Sequence, residues 1–327
     1  MDKFLYRALK FPTRFLGGAL LLVFLLLSSC QASSADFTIT LGGDIMLARS
    51  GRAIFKQQGS EIDPWQQLKN EGVISIGRAA SNDLFMANLE SPFGEQVATG
   101  ELNLCSNPSE VRVLQGGQLD ILTIANNHTN DCTKEGAFQT GQIMSANGLL
   151  SVGMGGQPLY LDTPQGKIAL LATEDVTAGL DLTTLLNSVS AARENAGLVI
   201  VSIHWGNEYQ AGPDERQQAL AQNLADAGAD VIWGHHPHVL QKMECLTAAD
   251  GRQALVIYSL GNLLSDQWML EDAKRSALIR LTVQNLKIRN IEVIPIALDR
   301  QIKVIVVPQD SQTIMDRLQI DEIPAFH

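Results

Sequence analysis

The chain has 327 residues, of which 45% are hydrophobic and 18% are charged. That length and apolar content allow one large domain or two modest ones, and they exclude both a disordered protein and a protein with many membrane spans. The formal net charge of −11 argues against a basic surface, so we expect no nucleic-acid partner.

The first 29 residues have the arrangement of a secretory signal peptide. Basic residues are frequent up to Arg14, and an unbroken apolar stretch then runs from Leu16 to Leu27. This stretch is shorter than the roughly 20 residues that a membrane span requires, which favours a cleaved signal. The tetrapeptide "LSSC", which ends at Cys30, resembles the lipobox of bacterial lipoproteins, where the chain is cut before a cysteine that then carries lipid.

We therefore predict a lipoprotein signal peptide at 1–29, a lipidated Cys30 and a short tether at 30–36. These features place the mature protein outside the cytoplasm, in the bacterial cell envelope, with the lipid holding it to a membrane. Ordinary cleavage near "QASSA" and an uncleaved anchor remain two alternatives at this point.

Cleavage before Cys30 makes the protein more acidic and leaves three further cysteines. Removing residues 1–29 leaves 20 basic and 34 acidic residues, which is a charge of −14. Outside the cytoplasm, Cys105, Cys132 and Cys245 can form one disulfide and leave one free thiol. Cys105 and Cys132 fall in loops that lead toward the polar strand ends described below, so we expect these two to pair.

From residue 37 onward, short apolar runs alternate with helical patterns. The runs are β-branched and nearly continuously apolar, which is typical of strands buried on both faces. In the helical stretch "DERQQALAQNLADAGA", Leu220, Leu224 and Ala227 share one face, and Gly228 is expected to end the helix. The predicted strands cover 37–43, 83–89, 119–125, 167–173, 198–203, 229–233 and 254–260, and 276–298 alternates like two antiparallel strands.

Strands that alternate with helices indicate a layered α/β domain. We find no repeats, low-complexity tract or long linker that would separate a second domain. The domain is therefore assigned to residues 37–305, and residues 306–327 are treated as a C-terminal tail.

Polar side chains that suit a metal ion follow most of the predicted strands. Open α/β sheets build their sites at the carboxyl ends of the strands. Oxygen and imidazole ligands suit divalent ions such as Zn, Mn or Fe. Three of the six histidines lie together, directly after the run 229–233. We predict a site for one or two divalent metal ions, built from Asp44, Glu90, Asn126, Asn127, His128, His204, His235, His236, His238 and Asn262.

Each of these residues taken singly has a simpler interpretation. An isolated His204 after a strand is more often a hydrogen-bonded core histidine, Asp44 could cap a helix, and the two asparagines could make a turn. Three histidines around a proline are harder to explain in that way, because imidazoles repel one another when protonated and are costly to bury without partners. The cluster therefore favours a metal site.

Six segments of the chain resemble a known family. The motifs "GGDIML", "ANLESPFG", "ANNHTND", "SIHWGNEY", "GADVIWGHHPHVLQ" and "IYSLGN" occur in the order seen in the CapA-type capsule synthesis proteins. That family is associated with poly-γ-glutamate capsule production and is similar to the calcineurin-like metallophosphoesterases. The resemblance runs from Phe37 to Asp266, and it implies a four-layer αββα sandwich of the metallophosphoesterase type.

The resemblance also implies roles for individual residues. One metal ion would be held by Asp44 and His238, and Glu90 would bridge both ions. His128 would act as a general acid toward a leaving oxygen. Such a centre activates water and polarises a phosphate or acyl oxygen. The second ion would be held by Asn127, His204 and His236.

Two positions depart from the phosphoesterase pattern. Met46 stands where a histidine is usual, two residues after the first aspartate, and a thioether is a poor ligand for a hard ion. Glu90 stands within "NLE" instead of the usual Gly-Asp. Residues beside the ligands are expected to orient the imidazoles, although surface caps and turns are the alternative for them. These supporting residues are Asp131, Glu208, His235 and Asn262.

Two functions are compatible with the sequence. The first is an envelope-anchored component of capsule or poly-γ-glutamate biosynthesis or export, which assists a membrane complex that makes an anionic polymer. A charge of −14 repels a polyanion, and a metal centre would supply local positive charge. The second is a metal-dependent hydrolase that cleaves a phosphoester or an amide bond of an envelope polymer.

Overall fold

A computed structural model of the chain describes residues 36–49, 63–74, 83–94, 103–153, 156–177 and 179–320. The predicted signal peptide and Cys30 lie outside the described residues. None of the described helices is long and apolar enough to cross a membrane.

Two sheets form the centre of the described structure, and each predicted strand run overlaps an observed strand. Residues 276–298 form the expected antiparallel pair. The strands are β1 (Phe37–Ile45), β2 (Leu84–Leu89), β3 (Ile121–Thr123), β4 (Leu150–Val152), β5 (Leu159–Thr163), β6 (Gly166–Glu174), β7 (Leu198–His204), β8 (Val231–His235), β9 (Met243–Thr247), β10 (Gln253–Ile257), β11 (Asn262–Leu264), β12 (Arg275–Gln284), β13 (Lys287–Leu298) and β14 (Val304–Val306).

One sheet has eight strands in the order β14-β13-β12-β1-β2-β3-β4, with β11 also paired to β1. The other has six strands in the order β5-β6-β7-β8-β10-β9. Helices occur between and after these strands. They are α1 (Gln66–Asn70), α2 (Val111–Gly116), α3 (Gly136–Ala146), α4 (Leu182–Asn195), α5 (Glu215–Ala227) and α6 (Ser311–Leu318).

The helix predicted from "DERQQALAQNLADAGA" is α5, and both of its ends follow from local chemistry. The Asp214 side chain accepts a hydrogen bond from the backbone of Gln217, and the Gln217 side chain accepts one from the backbone of Asp214, which forms a capping box. Gly228 ends the helix with a φ of 126°.

Three apolar layers explain why the strands are apolar on both faces. Along β7, Leu198 and Ile200 belong to the core between the two sheets, together with Leu41 of β1. Val199 and Val201 point to the other face, where they pack with residues of α4 and α5. A third core covers the outer face of the eight-stranded sheet with α1, α2 and α3. The result is the predicted αββα sandwich.

The fold continues past residue 305, where we expected a tail to begin. Strand β14 joins the edge of the eight-stranded sheet, and α6 buries Ile314 and Leu318 in the core between the sheets. The apolar pattern of α6 spans only two turns, which is too short to distinguish a packed helix from a polar tail in the sequence.

Gly43 in "GGDIML" allows β1 to approach the turn before β11. A Cβ atom at this position would lie 1.9 Å from the backbone oxygen of Gly261, which cannot move aside as a side chain could. We expect Gly43→Ala to lower the free energy of unfolding by about 3 kcal/mol, measured by urea denaturation. The matched control is Gly212→Ala, where the new methyl group would meet no described heavy atom within 4 Å. Equal stability of both variants would contradict this account.

Candidate metal centre

The carboxyl ends of strands from both sheets meet at one edge of the sandwich. Strands β1, β2 and β3 run parallel in one sheet, and β7 and β8 run parallel in the other. Hydrogen bonds connect the sheets near this edge: Ser202 Oγ donates to Thr123 Oγ1 at 3.1 Å, and Trp233 Nε1 donates to the backbone oxygen of Gly42 at 3.0 Å. The fold therefore brings together polar residues that are far apart in the sequence.

Asp44 is fully buried in β1 and contacts groups from two other segments. Asn88 Nδ2 donates to its Oδ1 at 2.8 Å, and the backbone N–H of His236 donates to its Oδ2 at 3.1 Å. The Nδ1 atoms of His235 and His238 lie 3.1 and 3.4 Å from the carboxylate. Burial raises the pKa of Asp44, but the close imidazoles of His235 and His238 outweigh it and hold the pKa well below its usual value. Asp44 is therefore an anion.

Glu90 follows β2 and lies among three imidazoles. Its Oε1 is 3.8 Å from His128 Nε2, 3.6 Å from His204 Nε2 and 3.8 Å from His238 Nε2. Its Oε2 is buried and has no hydrogen-bond partner among the described residues. Burial raises the pKa of Glu90 to about 7. A carboxylate in this environment is stabilised by a cation that replaces the lost water.

His204 and His236 present unpartnered nitrogens in the same region. His204 Nε2 and His236 Nδ1 are buried, and neither has a hydrogen-bond partner in the described part of the chain. Burial lowers the pKa of His204 well below its usual value and lowers that of His236 to about 4. Both imidazoles are therefore neutral, which is the form that binds metal ions.

The donor set fits one or two divalent ions. Asp44, Glu90 and His238 offer ligand atoms within 4.8 Å of one another, and so do Glu90, His204 and His236. Glu90 is common to both groups, so it can bridge two ions. Buried oxygen and imidazole atoms without partners are the expected signature of such a centre. A bound ion would supply Lewis acidity and activate water.

The two adjacent asparagines after β3 differ in their contacts. Asn126 Nδ2 donates to the backbone oxygen of Leu89 at 2.9 Å and so fixes the end of β2. Asn127 lies beside the cleft, and its Oδ1 is buried without a partner among the described residues. Asn127, which the resemblance assigned as a ligand, therefore has a free carbonyl oxygen, whereas Asn126 supports the structure.

His238 is oriented by Asn262, which β11 places directly opposite Asp44. His238 Nδ1 lies 3.1 Å from Asn262 Oδ1. Asn262 Nδ2 donates to the backbone oxygen of Ala273 at 3.0 Å, so the amide oxygen must face the imidazole. Nδ1 of His238 therefore carries the hydrogen, which leaves Nε2 available as a ligand. His235 contacts Asp44 as described, and its ring packs edge-on against Trp233.

His128 lies at the rim of the centre and is held by Asp131. Its Nδ1 is 2.8 Å from Asp131 Oδ2, and its Nε2 faces Glu90. Burial lowers the pKa of His128, but the hydrogen bond with Asp131 and the charge of Glu90 outweigh it and raise the pKa above its usual value. A histidine whose protonated form is favoured in this way is suited to donate a proton.

The expected disulfide joins Cys105 to Cys132, and Cys245 is a free thiol. The bond ties the segment at 103–105 to the loop that carries His128. The backbone N–H of Leu104 adds a hydrogen bond to Asp131 Oδ2 at 2.7 Å. The disulfide therefore helps to fix Asp131, which orients His128.

Asn88 is central to the site, and the sequence analysis did not assign it a role. It is fully buried, it donates to Asp44, and its Nδ2 lies 3.4 Å from His204 Nδ1. Its Oδ1 accepts a hydrogen bond from Asn126 Nδ2 at 3.3 Å. In the sequence, the sign of this role was a single amide inside the apolar strand "DLFMANL", because a buried polar group needs hydrogen-bond partners.

A cleft of about 460 Å³ opens beside the centre. Asn127, His236 and Glu208 lie on its metal side. Arg216 lies on the cleft as well and is paired with Asp175 at 2.5 Å. The lining also includes Val176, Gly206, Asn207, Asp214 and Gln217.

Metal binding is expected to release protons, because the same atoms hold them in the metal-free protein. Burial lowers the pKa of His238, but Glu90 and Asp44 outweigh it and raise the pKa to about 9, while that of Glu90 is about 7. Below these values each group holds a proton that the ion must displace, so affinity should rise with pH up to about 9. Calorimetry at about pH 7.5, in buffers that differ in ionisation enthalpy, should show release of about one proton or more per chain. Affinity that is independent of pH would contradict the assignment.

A sandwich of two sheets between helices, with carboxylates and imidazoles at the strand ends, defines the metallophosphoesterase class of fold. Among solved structures, a phosphatase from Mycoplasma pneumoniae matches with a TM-score of 0.50 and 14% identity. The match covers 85% of this chain and 97% of that one. At this identity the likeness concerns the fold alone.

Residues 38–267 match the family described as bacterial capsule synthesis protein PGA_cap, and the chain belongs to that family. The capsule biosynthesis protein CapA of Bacillus anthracis is 30% identical over an alignment of 287 residues, and the match covers 79% of this chain and 67% of that protein. The PGA biosynthesis protein CapA of Bacillus subtilis is 31% identical over an alignment of 278 residues, and the match covers 78% of this chain and 70% of that protein.

Proposed function

We propose that this protein takes part in the production of an anionic capsular polymer of the poly-γ-glutamate type and that this role requires a divalent metal centre. Membership of the capsule synthesis family supports the biological role. The observation that carries the chemical part is the buried group of Glu90, His204 and His236, whose atoms Oε2, Nε2 and Nδ1 have no partners among the described residues. Such atoms are costly to bury unless a ligand occupies the space between them.

The proposed location is the bacterial cell envelope outside the cytoplasm, with the chain anchored to a membrane by lipid at Cys30. The signal-like start of the sequence supports this location, and so does the capsule role of the relatives. A lipid anchor would keep the metal centre close to a membrane complex that synthesises or exports the polymer, which is the proposed partner.

The metal centre would also help an acidic protein to approach an acidic polymer. The proposed mature chain has 20 basic and 34 acidic residues and therefore repels a polyanion at low salt. Bound divalent cations beside the cleft would provide local attraction.

The test is polymer production in the source bacterium. A strain that lacks this chain should release less capsular polymer, and the wild-type gene should restore it. A gene carrying Asp44→Asn should fail to do so, while Asp162→Asn, at an exposed position in β5, serves as the matched control. Full restoration by Asp44→Asn, with equal protein levels, would show that the metal centre is not needed.

A second candidate function, metal-dependent hydrolysis, is favoured by the position of His128. This imidazole is held by Asp131 with its other nitrogen directed at Glu90, where it can protonate a leaving oxygen. The substrate would be a phosphoester or an amide bond of an envelope polymer. Turnover of a generic phosphodiester by the metal-loaded protein tests the first of these substrates.

A further inference from the structure

Glu208 lies on the solvent side of the metal centre, in the loop between β7 and α5. Glu208, His236 and His238 each offer a ligand atom, and these three atoms lie within 4.8 Å of one another. His236 is only 5% exposed, and its Nδ1 has no hydrogen-bond partner in the described structure. An exposed carboxylate therefore stands beside a buried imidazole that lacks a partner.

The loop that carries Glu208 is held on both sides of this residue. Before it, the buried Trp205 Nε1 donates to the backbone oxygen of Tyr258 at 2.9 Å. After it, the backbone N–H of Tyr209 donates to the backbone oxygen of Pro237, within the histidine segment itself, at 2.8 Å. Although Glu208 is exposed, its backbone is thus fixed relative to His236 and His238. Glu208 therefore differs from a surface carboxylate that moves freely.

The other side of the centre lacks a ligand that the phosphoesterase pattern would supply. Met46 stands at that position, and its side chain packs in a small apolar cluster with Ala48 and Leu104. An ion held by Asp44 and His238 would therefore have one donor fewer from the eight-stranded sheet. Glu208 offers a donor from the six-stranded sheet, and a carboxylate oxygen is a better ligand for a hard divalent ion than a thioether.

We propose that Glu208 is a direct ligand of the ion held by His238 and that it compensates for the donor missing at Met46. This inference rests on the proposed metal centre. Asp44 and Glu90 are buried, so among the three carboxylates Glu208 is the one that faces solvent. A substrate that enters the cleft reaches the ion beside this carboxylate.

The first test measures metal affinity without reference to activity. The full chain and its variants are stripped of metal, and Zn²⁺ is titrated in competition with a chromophoric chelator. Glu208→Gln should weaken the binding of one equivalent by at least about 10-fold, since even residues that only support a ligand contribute this much. Glu194→Gln, at an exposed position near the end of α4, is the matched control and should leave the affinity unchanged.

A crystal structure of the Zn²⁺-loaded wild-type protein separates a ligand from a supporting residue. A Glu208 carboxylate oxygen within about 2.2 Å of the ion supports the proposal, whereas an oxygen hydrogen-bonded only to an imidazole or to water overturns it. Unchanged affinity in Glu208→Gln also overturns it. If the wild-type chain binds no Zn²⁺, the proposed metal centre is wrong. If the wild-type chain binds Zn²⁺ and Glu208→Gln binds it equally well, only the role of Glu208 is wrong.

Discussion

The double variant His236→Ala/His238→Ala is expected to lose its divalent metal ions. These histidines belong to the three groups of possible ligands, and His238 joins Asp44 to Glu90. Residues that merely support a ligand contribute about 10- to 100-fold to affinity, so the loss of two ligands should lower it by more than about 100-fold. Elemental analysis after dialysis in metal-replete buffer should find one or two transition-metal ions per wild-type chain and none in the variant.

Stability must be controlled in this experiment, because the truncation exposes Asp44 and Glu90 to a cavity. A second variant, His236→Asn/His238→Gln, keeps more of the packing, and circular dichroism shows whether each protein is folded. Folded variants with wild-type metal content would mean that the histidines are scaffold residues. A wild-type chain without metal would remove the basis for a hydrolytic function.

His128→Gln is expected to abolish most hydrolysis while leaving the metal content unchanged. Its imidazole is at the rim of the centre and is not in any of the three groups of possible ligands. A positioned general acid contributes about 10²- to 10⁴-fold to a rate, so kcat for a phosphodiester should fall by at least about 100-fold. The fall should be smaller for a substrate whose leaving group needs no proton, such as a nitrophenolate ester.

The exposed neighbour Asn130 provides the control, and Asn130→Ala should retain both metal and activity.

Asp131→Asn should give an intermediate loss of hydrolytic activity. It should also shift the basic limb of the pH–rate profile to lower pH, because Asp131 helps to raise the pKa of His128. Equal loss for substrates with good and poor leaving groups would exclude the general-acid role.

The sequence predicted the layers of the fold well, and it predicted which strand ends carry polar residues. Continuous apolar runs identify strands buried on both faces. A polar residue such as Asp44 or His204 marks the end of such a run. The sequence did not indicate features that depend on contacts between segments far apart in the chain. The pairing of β11 with β1, which sets Asn262 opposite Asp44, is one example. The short strand β4 and helix α6 are others, since a few residues carry no clear period and their burial depends on the partner that covers them.

The candidate metal centre likewise has features that the sequence predicted and features that only the structure shows. Histidines in a cluster are unusual enough to identify from the sequence, but the roles of neighbouring amides are decided by geometry. Asn88 forms the centre of the hydrogen-bond network under the metal ligands, and in the sequence it is one amide inside an apolar strand. Asn126 and Asn127 are adjacent and identical in type, and only the structure separates the one that holds a strand from the one that faces the cleft.

The Cys105–Cys132 bond makes the placement of the loop that carries His128 depend on the redox state of two cysteines. In a reducing compartment the two thiols would remain separate, and the loop with Asp131 would be held by hydrogen bonds alone. Reduction of the bond would therefore leave the candidate metal ligands with a less firmly placed His128.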